Sequence, residues 1–192
     1  MKKNQIRTMA QKMSTRSEED TGDRYISGYF SVFNSNYELW PGASESIDPS
    51  AFDDALDDDI RCLTNHDSRL VLGRTKAGTL SLRTDEKGLF GEVKINVKDQ
   101  DAVNLYERVA RGDVSQCSFG FDILSEEREE EPITGNVHWT IKKVKLYEVS
   151  IVTFPAYEDT GVTARKKEFD EIEKRKTEKW REEMKRCLKG EK

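Results

Sequence analysis

The sequence has little cysteine and no long hydrophobic run, and each shortage excludes a class of protein. Its three cysteines, Cys62, Cys117 and Cys187, are odd in number and widely spaced, which is typical of a reducing compartment and argues against a disulfide framework. No stretch approaches the roughly 20 apolar residues that span a bilayer, and the N-terminal MKKNQIRTMAQKM has no apolar signal-peptide core. We therefore expect a soluble protein made in the cytoplasm.

A basic excess is also missing. The 192 residues carry 32 basic and 37 acidic side chains, whereas nucleic-acid binding needs a surplus of positive charge on one face. This balance argues against a nucleic-acid binder. Histidine is rare as well, with two in the whole chain, and without a CxxC pair there is little from which to build a zinc site. We expect neither a metal nor a cofactor.

Most of the chain is dense in short strand patterns. Segments rich in Val, Ile, Phe, Tyr and Thr, punctuated by Gly, Asn and Asp, recur from residue 24 to residue 154, as in antiparallel sheets. Two helical patterns interrupt them: DPSAFDDAL, with Asp48 as N-cap, and DQDAVNLYERVARG, with Asp99 as N-cap and Gly112 just past its end. The predicted fold is mainly β with a few helices (α+β), with an antiparallel barrel or sandwich as its core and the helices packed on it.

The two ends differ from this body, which is predicted to span residues 23–165. Residues 1–22 are polar and lack a periodic apolar pattern, which predicts a flexible leader. Residues 166–192 are almost entirely charged, with one apolar stripe at helical spacing from Phe169 to Leu188. The stripe predicts an amphipathic helical tail that docks on the body, pairs with another chain or stays partly disordered. A solvated helix with a weak docking stripe is favoured over a dedicated coiled coil.

A histidine-based mechanism has only His66 and His138 available. His66, in TNHDSRLVLGRT, ends a strand pattern and enters a polar turn, where scaffolds commonly place functional groups. His138, in GNVHWTIKK, precedes Trp139 inside a strand pattern and is more typical of a β surface. A lone histidine is more often structural than catalytic, and of the two His66 is the stronger candidate.

The segment SQCSFGF, residues 115–121, holds two serines and a cysteine within four positions. Because side chains alternate along a strand, Ser115 and Cys117 share a face with apolar residues, which is the expected core face. Ser118 lies on the other face beside Gly120, which would leave room for a substrate backbone. Ser118 is therefore the candidate nucleophile, Ser115 a structural hydroxyl and Cys117 a small buried hydrophobe. A β-bulge within this segment would exchange the two faces.

Several segments taken together resemble the prohead maturation proteases of tailed bacteriophages, serine peptidases related in fold to the herpesvirus assemblins. The resemblance covers about residues 24–165 and is carried, in order, by GYFSVFNS, IDPSAFDDAL, NHDSRLVLGRTKAGTLSL, GDVSQCSFGFDI and LYEVSIVTFPAYEDTGVTAR. It implies an assemblin-like fold. It also implies that His66 is the histidine of the N-H-D motif, Ser118 the serine of the S-F-G-F motif and Glu148 the acidic residue of the E-V-S strand.

The third member of this set has competing interpretations. A carboxylate in an otherwise apolar strand is costly to bury unless it accepts a hydrogen bond or pairs with a cation, and an imidazole N–H is such a donor for Glu148. A salt bridge from Glu148 to Lys143 or Lys145 is the structural alternative. The assemblin relatives use a second histidine as the third member, which leaves His138 as the other choice, although it lies outside the matched motifs.

The resemblance implies a serine endopeptidase that cleaves the scaffolding segment of the major capsid protein and its own termini. It places this activity inside the procapsid in the host bacterial cytoplasm, with the capsid protein and the chain itself as partners, a homodimer as a further expectation, and no nucleic acid or membrane. A non-catalytic capsid-assembly or scaffolding protein on the same fold is the alternative, and a cysteine hydrolase using Cys117 is a third. The LGRT segment around Gly73 and Arg74 is one candidate for the oxyanion hole and equally for a plain turn.

Overall fold

The computed structural model describes residues 2–9, 13–154 and 160–188. The chain divides into two compact units, Met1–Tyr157 and Glu158–Lys192. The first unit is mainly β, and the described part of the second is one helix. Within the described ranges, neither α-helix combines the length and the apolar character needed to cross a membrane.

The described residues of the first unit form eleven strands and one α-helix, together with two short 3₁₀ helices at Pro49–Phe52 and Thr75–Ala77. This content confirms the prediction of a mainly β protein with a few helices. The strands are β1 (Lys2–Met9), β2 (Ser14–Ser17), β3 (Arg24–Val32), β4 (Tyr37–Trp40), β5 (Ala43–Ile47), β6 (Arg61–Thr64), β7 (Asp67–Arg74), β8 (Leu80–Thr84), β9 (Gly88–Ile95), β10 (Gln116–Glu130) and β11 (Val137–Val152), and the helix is α1 (Gln100–Arg111).

These strands form two sheets. The larger has the order β1-β10-β11-β5-β4, and β6, which pairs with both β11 and β7, extends it. The smaller has the order β2-β3-β9-β8. The long strand β11 pairs in parallel with β5 along one stretch and with β6 along another. Among the described strands there is no closed barrel, and the larger sheet contains both parallel and antiparallel pairs. The sequence did not predict this pairing, because the alternation that identifies a strand does not identify its neighbours.

One hydrophobic core holds the two sheets together. It contains Phe119 and Ile151 from the larger sheet and Phe30 and Leu89 from the smaller, all of them fully buried. The helix α1 adds the apolar stripe expected of it, namely Ala102, Leu105, Tyr106 and Val109. Its ends are also as predicted: the Asp99 carboxylate caps the first turn, and Gly112 ends the helix in a left-handed conformation.

The segment expected to be a flexible leader contains two paired strands. β1 pairs with β10 at the edge of the larger sheet, and β2 pairs with β3 at the edge of the smaller. The side chains that β1 buries are polar, Gln5 and Arg7, so no apolar alternation marks the strand in the sequence. Ladder hydrogen bonds and a buried polar contact hold it instead, and sequence periodicity reports neither.

The second unit contains the helix α2 (Thr160–Leu188). It begins six positions before the predicted boundary at residue 166. Among its apolar side chains, Trp180, Met184 and Leu188 are exposed, while the side chain of Cys187 lies outside the described part of the structure. The predicted helix is thus present, and its docking role stays a prediction.

Candidate active site

The site is built on the antiparallel ladder between β10 and β11. Ser118 lies opposite Ser150, and Gly120 lies opposite Glu148. The register is regular from Gln116 to Gly120, and it shifts only after Gly120. Because residues opposite each other in a ladder project from the same face of the sheet, Ser118, Ser150 and Glu148 share one face.

His66 reaches this face from a tight hairpin. β6 and β7 are joined by the two residues Asn65 and His66, whose φ angles are 51° and 59°. Both central residues of a type I′ hairpin turn need positive φ, and the second is most often glycine. A histidine held in that conformation carries backbone strain of the kind that clusters at functional sites. The turn is tied to the end of β11, since the Asn65 N–H donates to the Ile151 carbonyl at 3.0 Å and the Thr153 N–H donates to Asn65 Oδ1 at 2.8 Å.

His66 and Glu148 form a hydrogen bond. His66 Nδ1 lies 2.7 Å from Glu148 Oε1, and both side chains are largely buried. An ionised carboxylate only accepts hydrogen bonds, so in neutral His66 the proton sits on Nδ1 and Nε2 carries a lone pair. Nε2 is itself buried and has no hydrogen-bond partner among the described residues. The arrangement thus presents a basic nitrogen in a fixed tautomer.

Ser150 links the Glu148 carboxylate to the backbone of His66, and it was not among the residues selected from the sequence. Its hydroxyl donates to Glu148 Oε2 at 2.5 Å and accepts the backbone N–H of His66 at 3.3 Å. The second carboxylate oxygen is thereby fixed, and so is the position of the histidine backbone. The signal was present in the sequence, because Ser150 lies two positions after Glu148 and therefore on the same strand face.

Gly120 has a different role from the expected one. We expected the missing side chain to leave space for a substrate backbone, but the Glu148 carboxylate occupies that space. A β-carbon at position 120 would collide with Glu148 Oε1. Glycine at this position therefore allows the carboxylate to lie against the β10 backbone while it contacts His66.

Ser118 is fully buried, and its hydroxyl is bound to β1. Ser118 Oγ donates to the Arg7 carbonyl oxygen at 2.9 Å and accepts from Thr8 Oγ1 at 3.3 Å. The structure therefore brings His66, Glu148 and Ser118 to one face of the ladder, with the N-terminal strand covering the serine.

The other members of the SQCSFGF cluster behave differently from each other. Ser115 is exposed and precedes β10, which begins at Gln116, so strand alternation does not apply to it and the core-facing prediction is wrong. Cys117 is buried, and its thiol donates to the Tyr29 carbonyl oxygen at 2.9 Å, which confirms the prediction of a buried small residue. The other buried cysteine, Cys62, has its thiol pKa raised by desolvation and by the nearby Glu148 charge.

The alternatives for the third member lie elsewhere. His138 sits between Ser44 Oγ and Ser46 Oγ, each 2.8 Å from one of its ring nitrogens. It lies on β11 ten positions before Glu148, roughly 30 Å away along a strand. Lys143, the proposed salt-bridge partner of Glu148, lies 2.5 Å from Asp54.

The other proposed salt-bridge partner, Lys145, lies over the Tyr147 ring, with its amine 5.4 Å from the ring centroid. Arg74, the suggested oxyanion-hole residue, donates two hydrogen bonds of 2.6 Å to Asp59. This contact lowers the pKa of Asp59 to about 2 and favours a structural role for the arginine. Beside His66, a cleft of about 370 Å³ opens between Asn65 and the end of β11.

Comparison with known proteins identifies the family of the chain. The family model described as caudovirus prohead serine protease matches residues 11–175. The prohead protease of Enterobacteria phage HK97 is 32% identical over 158 residues, which cover 80% of this chain and 65% of that protein. The chain thus spans slightly less than two thirds of that relative's length, and no solved structure matches it. By family match and by identity over most of its length, the chain belongs to the caudovirus prohead serine proteases.

Proposed function

We propose that the chain is a serine endopeptidase in which Ser118 is the nucleophile, His66 the general base and Glu148 the group that orients the base. The observation that carries the proposal is the 2.7 Å hydrogen bond from His66 Nδ1 to Glu148. The other ring nitrogen, Nε2, is buried and has no hydrogen-bond partner among the described residues. A serine hydroxyl needs such an oriented base to become a nucleophile. Membership of the protease family supports the same assignment.

The proposed mechanism gives each of these residues one role. His66 Nε2 takes the proton of Ser118 as Oγ attacks a peptide carbonyl carbon, and the imidazolium then gives that proton to the leaving amine. Glu148 holds the proton on Nδ1 and stabilises the positive charge that forms on the ring. Water then hydrolyses the acyl-enzyme and restores the serine.

The substrates of this activity are the scaffolding segment of the major capsid protein and the chain itself, inside the procapsid. This part of the proposal rests on the family, whose description and whose phage HK97 member both name the prohead. Self-cleavage receives separate support from the contact between Ser118 and the Arg7 carbonyl of the same chain. Homodimer formation remains an expectation from the resemblance to the assemblins.

The test is cleavage of capsid subunits that carry their scaffolding segment. Wild type, Ser118→Ala and His66→Gln are each mixed with the subunits, and the products are followed by mass spectrometry. Of these three, we expect fragments with wild type only. His138→Ala should act as wild type because His138 lies far from Glu148 along β11. Absence of fragments with wild type would leave a non-catalytic assembly protein, and equal fragments with Ser118→Ala would exclude Ser118 as the nucleophile.

A further inference from the structure

The strand β1 occupies the place where a substrate of this enzyme would have to lie. It runs antiparallel to β10, with Thr8 opposite Ser118 and Arg7 opposite Phe119. Ser118 has no exposed surface under this cover. Adding an extended peptide to a sheet edge is a common mode of peptide recognition, in which main-chain hydrogen bonds supply affinity and alternate side chains supply specificity. β10 therefore offers an edge that takes a peptide strand directly over the nucleophile.

The nucleophile contacts one particular peptide bond of β1. Ser118 Oγ lies 2.9 Å from the carbonyl oxygen of Arg7, and the Thr8 hydroxyl lies 3.3 Å from the same Oγ. The bond from Arg7 to Thr8 is therefore the one presented to Ser118. After Thr8 the strand runs toward the Gln116 end of β10, which pairs with Val152. The cleft beside His66 is lined by Val152 and its neighbours, near this end of β10.

The Arg7 side chain fills a buried acidic pocket. Its guanidinium donates from Nη2 to Glu45 Oε2 at 3.0 Å and from Nε to Glu45 Oε1, and the two side chains are only 3% and 2% exposed. The centroid of the Phe121 ring lies 5.8 Å from the guanidinium carbon of Arg7. The space left in this pocket is about 20 Å³, close to that of a single water molecule. The pocket thus matches arginine in length, charge and planar hydrogen bonding.

A buried ion pair such as Arg7–Glu45 contributes more to the choice of substrate than to the stability of the protein. The cost of desolvating two charges largely cancels their attraction, so a buried ion pair adds little net stability. A wrong side chain at the same place would leave a buried carboxylate without the two hydrogen bonds that arginine donates, and this penalty discriminates strongly. Gln5, two positions earlier on the same strand face, is buried as well, so alternate residues of β1 point inward as in a bound peptide.

We infer that the edge of β10 together with Glu45 forms the substrate-recognition site, which takes an extended peptide with arginine immediately before the scissile bond. β1 occupies this site as an internal substrate, and Arg7–Thr8 is the first bond cut. This inference rests on the proposed protease function and specifies its substrate class.

Cleavage of this bond needs no reactant other than Ser118, His66 and solvent water. Ser118 Oγ forms a bond to the Arg7 carbonyl carbon, and its proton passes through His66 Nε2 to the Thr8 nitrogen as the Arg7–Thr8 bond breaks. Water then attacks the Arg7 ester, which yields the Arg7 carboxylate and restores the Ser118 hydroxyl. The departing segment uncovers β10 and Ser118 for a peptide from another chain.

The first test follows the intact mass and the N-terminal sequence of the full-length chain over time. Wild type is expected to give a product that begins at Thr8, and Arg7→Gln to slow this cleavage about 30-fold or more, since it removes a buried charge pair. Arg16→Gln is the matched control, because Arg16 lies on β2 with its side chain about half exposed, and it should trim at the wild-type rate. Trimming of Arg7→Gln at the wild-type rate would overturn the inference.

The second test measures specificity with separate peptides, which bind once β1 has left the site. Peptides with the sequence KNQIRTMAQ, or with glutamine or glutamate in place of the arginine, are offered to the full-length enzyme. Wild type should prefer the arginine peptide about 30-fold or more in kcat/KM, Glu45→Gln should lose that preference, and Glu45→Arg should favour the glutamate peptide. If Glu45 were only structural, its variants would slow all three peptides equally, and that result, or no preference in wild type, would overturn the assignment.

The two proposals fail in different ways. If wild type cuts neither itself nor capsid subunits, the protease function fails and the inference fails with it. If wild type cuts capsid subunits through Ser118, but neither after Arg7 nor with a preference for arginine, the protease function stands and the inference alone is refuted.

Discussion

His66 Nδ1 and Glu148 Oε1 lie 2.7 Å apart, although the two residues are 82 positions apart in the chain. The parallel pairing of β6 with β11 brings them together, since it places the turn after Thr64 beside Ile151. Glu148 lies three positions before Ile151 on the same strand, within reach of the imidazole. The site is therefore a product of strand pairing, and its geometry leads to separate predictions for Glu148, Ser150 and Gly120.

Replacement of Glu148 should remove most of the activity without unfolding the protein. Glu148→Gln keeps the size of the side chain but loses the negative charge and allows the wrong histidine tautomer, so we expect kcat to fall by about 10³ to 10⁴. The fall in kcat is measured by peptide cleavage with the full-length chain. Glu127→Gln, a change at a largely exposed carboxylate of β10, is the control, and wild-type turnover in Glu148→Gln would remove the residue from the mechanism.

Ser150 should act as a positioning residue. Ser150→Ala removes the hydrogen bond to Glu148 Oε2 and the acceptor for the His66 backbone N–H. The free energy of a hydrogen bond to a charged group corresponds to a change in rate of about 10- to 100-fold. We therefore expect kcat to fall by this factor, with KM little changed. Ser150→Thr keeps the hydroxyl and should recover most of the rate. An equal defect in Ser150→Thr, or a defect in KM alone, would contradict the positioning role.

A side chain at position 120 should displace the Glu148 carboxylate. Gly120→Ala puts a methyl group against Glu148 Oε1, so we expect a loss of about 1–3 kcal/mol in the free energy of unfolding. Urea denaturation in a Ser118→Ala background avoids interference from self-cleavage. The double variant Gly120→Ala with Glu148→Ala should recover part of the loss, since the collision partner is gone. Additive losses in the two single variants would show that the contact is not responsible.

Asp48 should make a pH-dependent contribution to stability. Hydrogen bonds from Lys142 and Ser50 lower the pKa of Asp48 to about 2, below its ordinary value of about 4. Folding therefore favours the ionised form, and this stabilisation is complete above pH 4 and is lost as the pH falls toward 2.

Unfolding measurements at several pH values test this contribution. Asp48→Asn in the Ser118→Ala background should be less stable by about 1 kcal/mol near pH 7, and the difference should shrink toward pH 2. Asp53→Asn, at an exposed neighbour, is the control for loss of a carboxylate from this part of the surface. A difference for Asp48→Asn that stays constant between pH 5 and pH 2 would contradict the assignment.

The candidate site residues came from two sources: strand alternation and the family resemblance both selected Ser118, while the resemblance assigned the roles of His66 and Glu148. Strand alternation separates Ser118 from Cys117, and the register between Gln116 and Gly120 is regular, as that argument required. The helix α1 was predictable from the sequence, since its cap, its apolar stripe and its terminal glycine are all local features. Ser115 was assigned to the wrong environment because alternation was extended one residue beyond the start of β10.

Long-range features were not predictable in this way. β1 buries Gln5 and Arg7, and only the tertiary partner Glu45 makes the burial of that arginine understandable. The contribution of Ser150 depends on the position of the His66 backbone, and that position depends on pairing between β6 and β11. Parallel neighbours in a sheet leave no local mark in either strand, so the sequence predicted strands but not the sheet order.

Reaction of Ser118 with a fluorophosphonate tests the central claim most directly. The full-length chain is incubated with the reagent during a time course of self-cleavage, and the adduct is located by peptide mass spectrometry. We predict an adduct on Ser118 in wild type, none at this position in Ser118→Ala, and a rate at least about 100-fold lower in His66→Gln, because the serine then lacks its base. An adduct on another residue, or labelling of Ser118 at the wild-type rate in His66→Gln, would contradict the account.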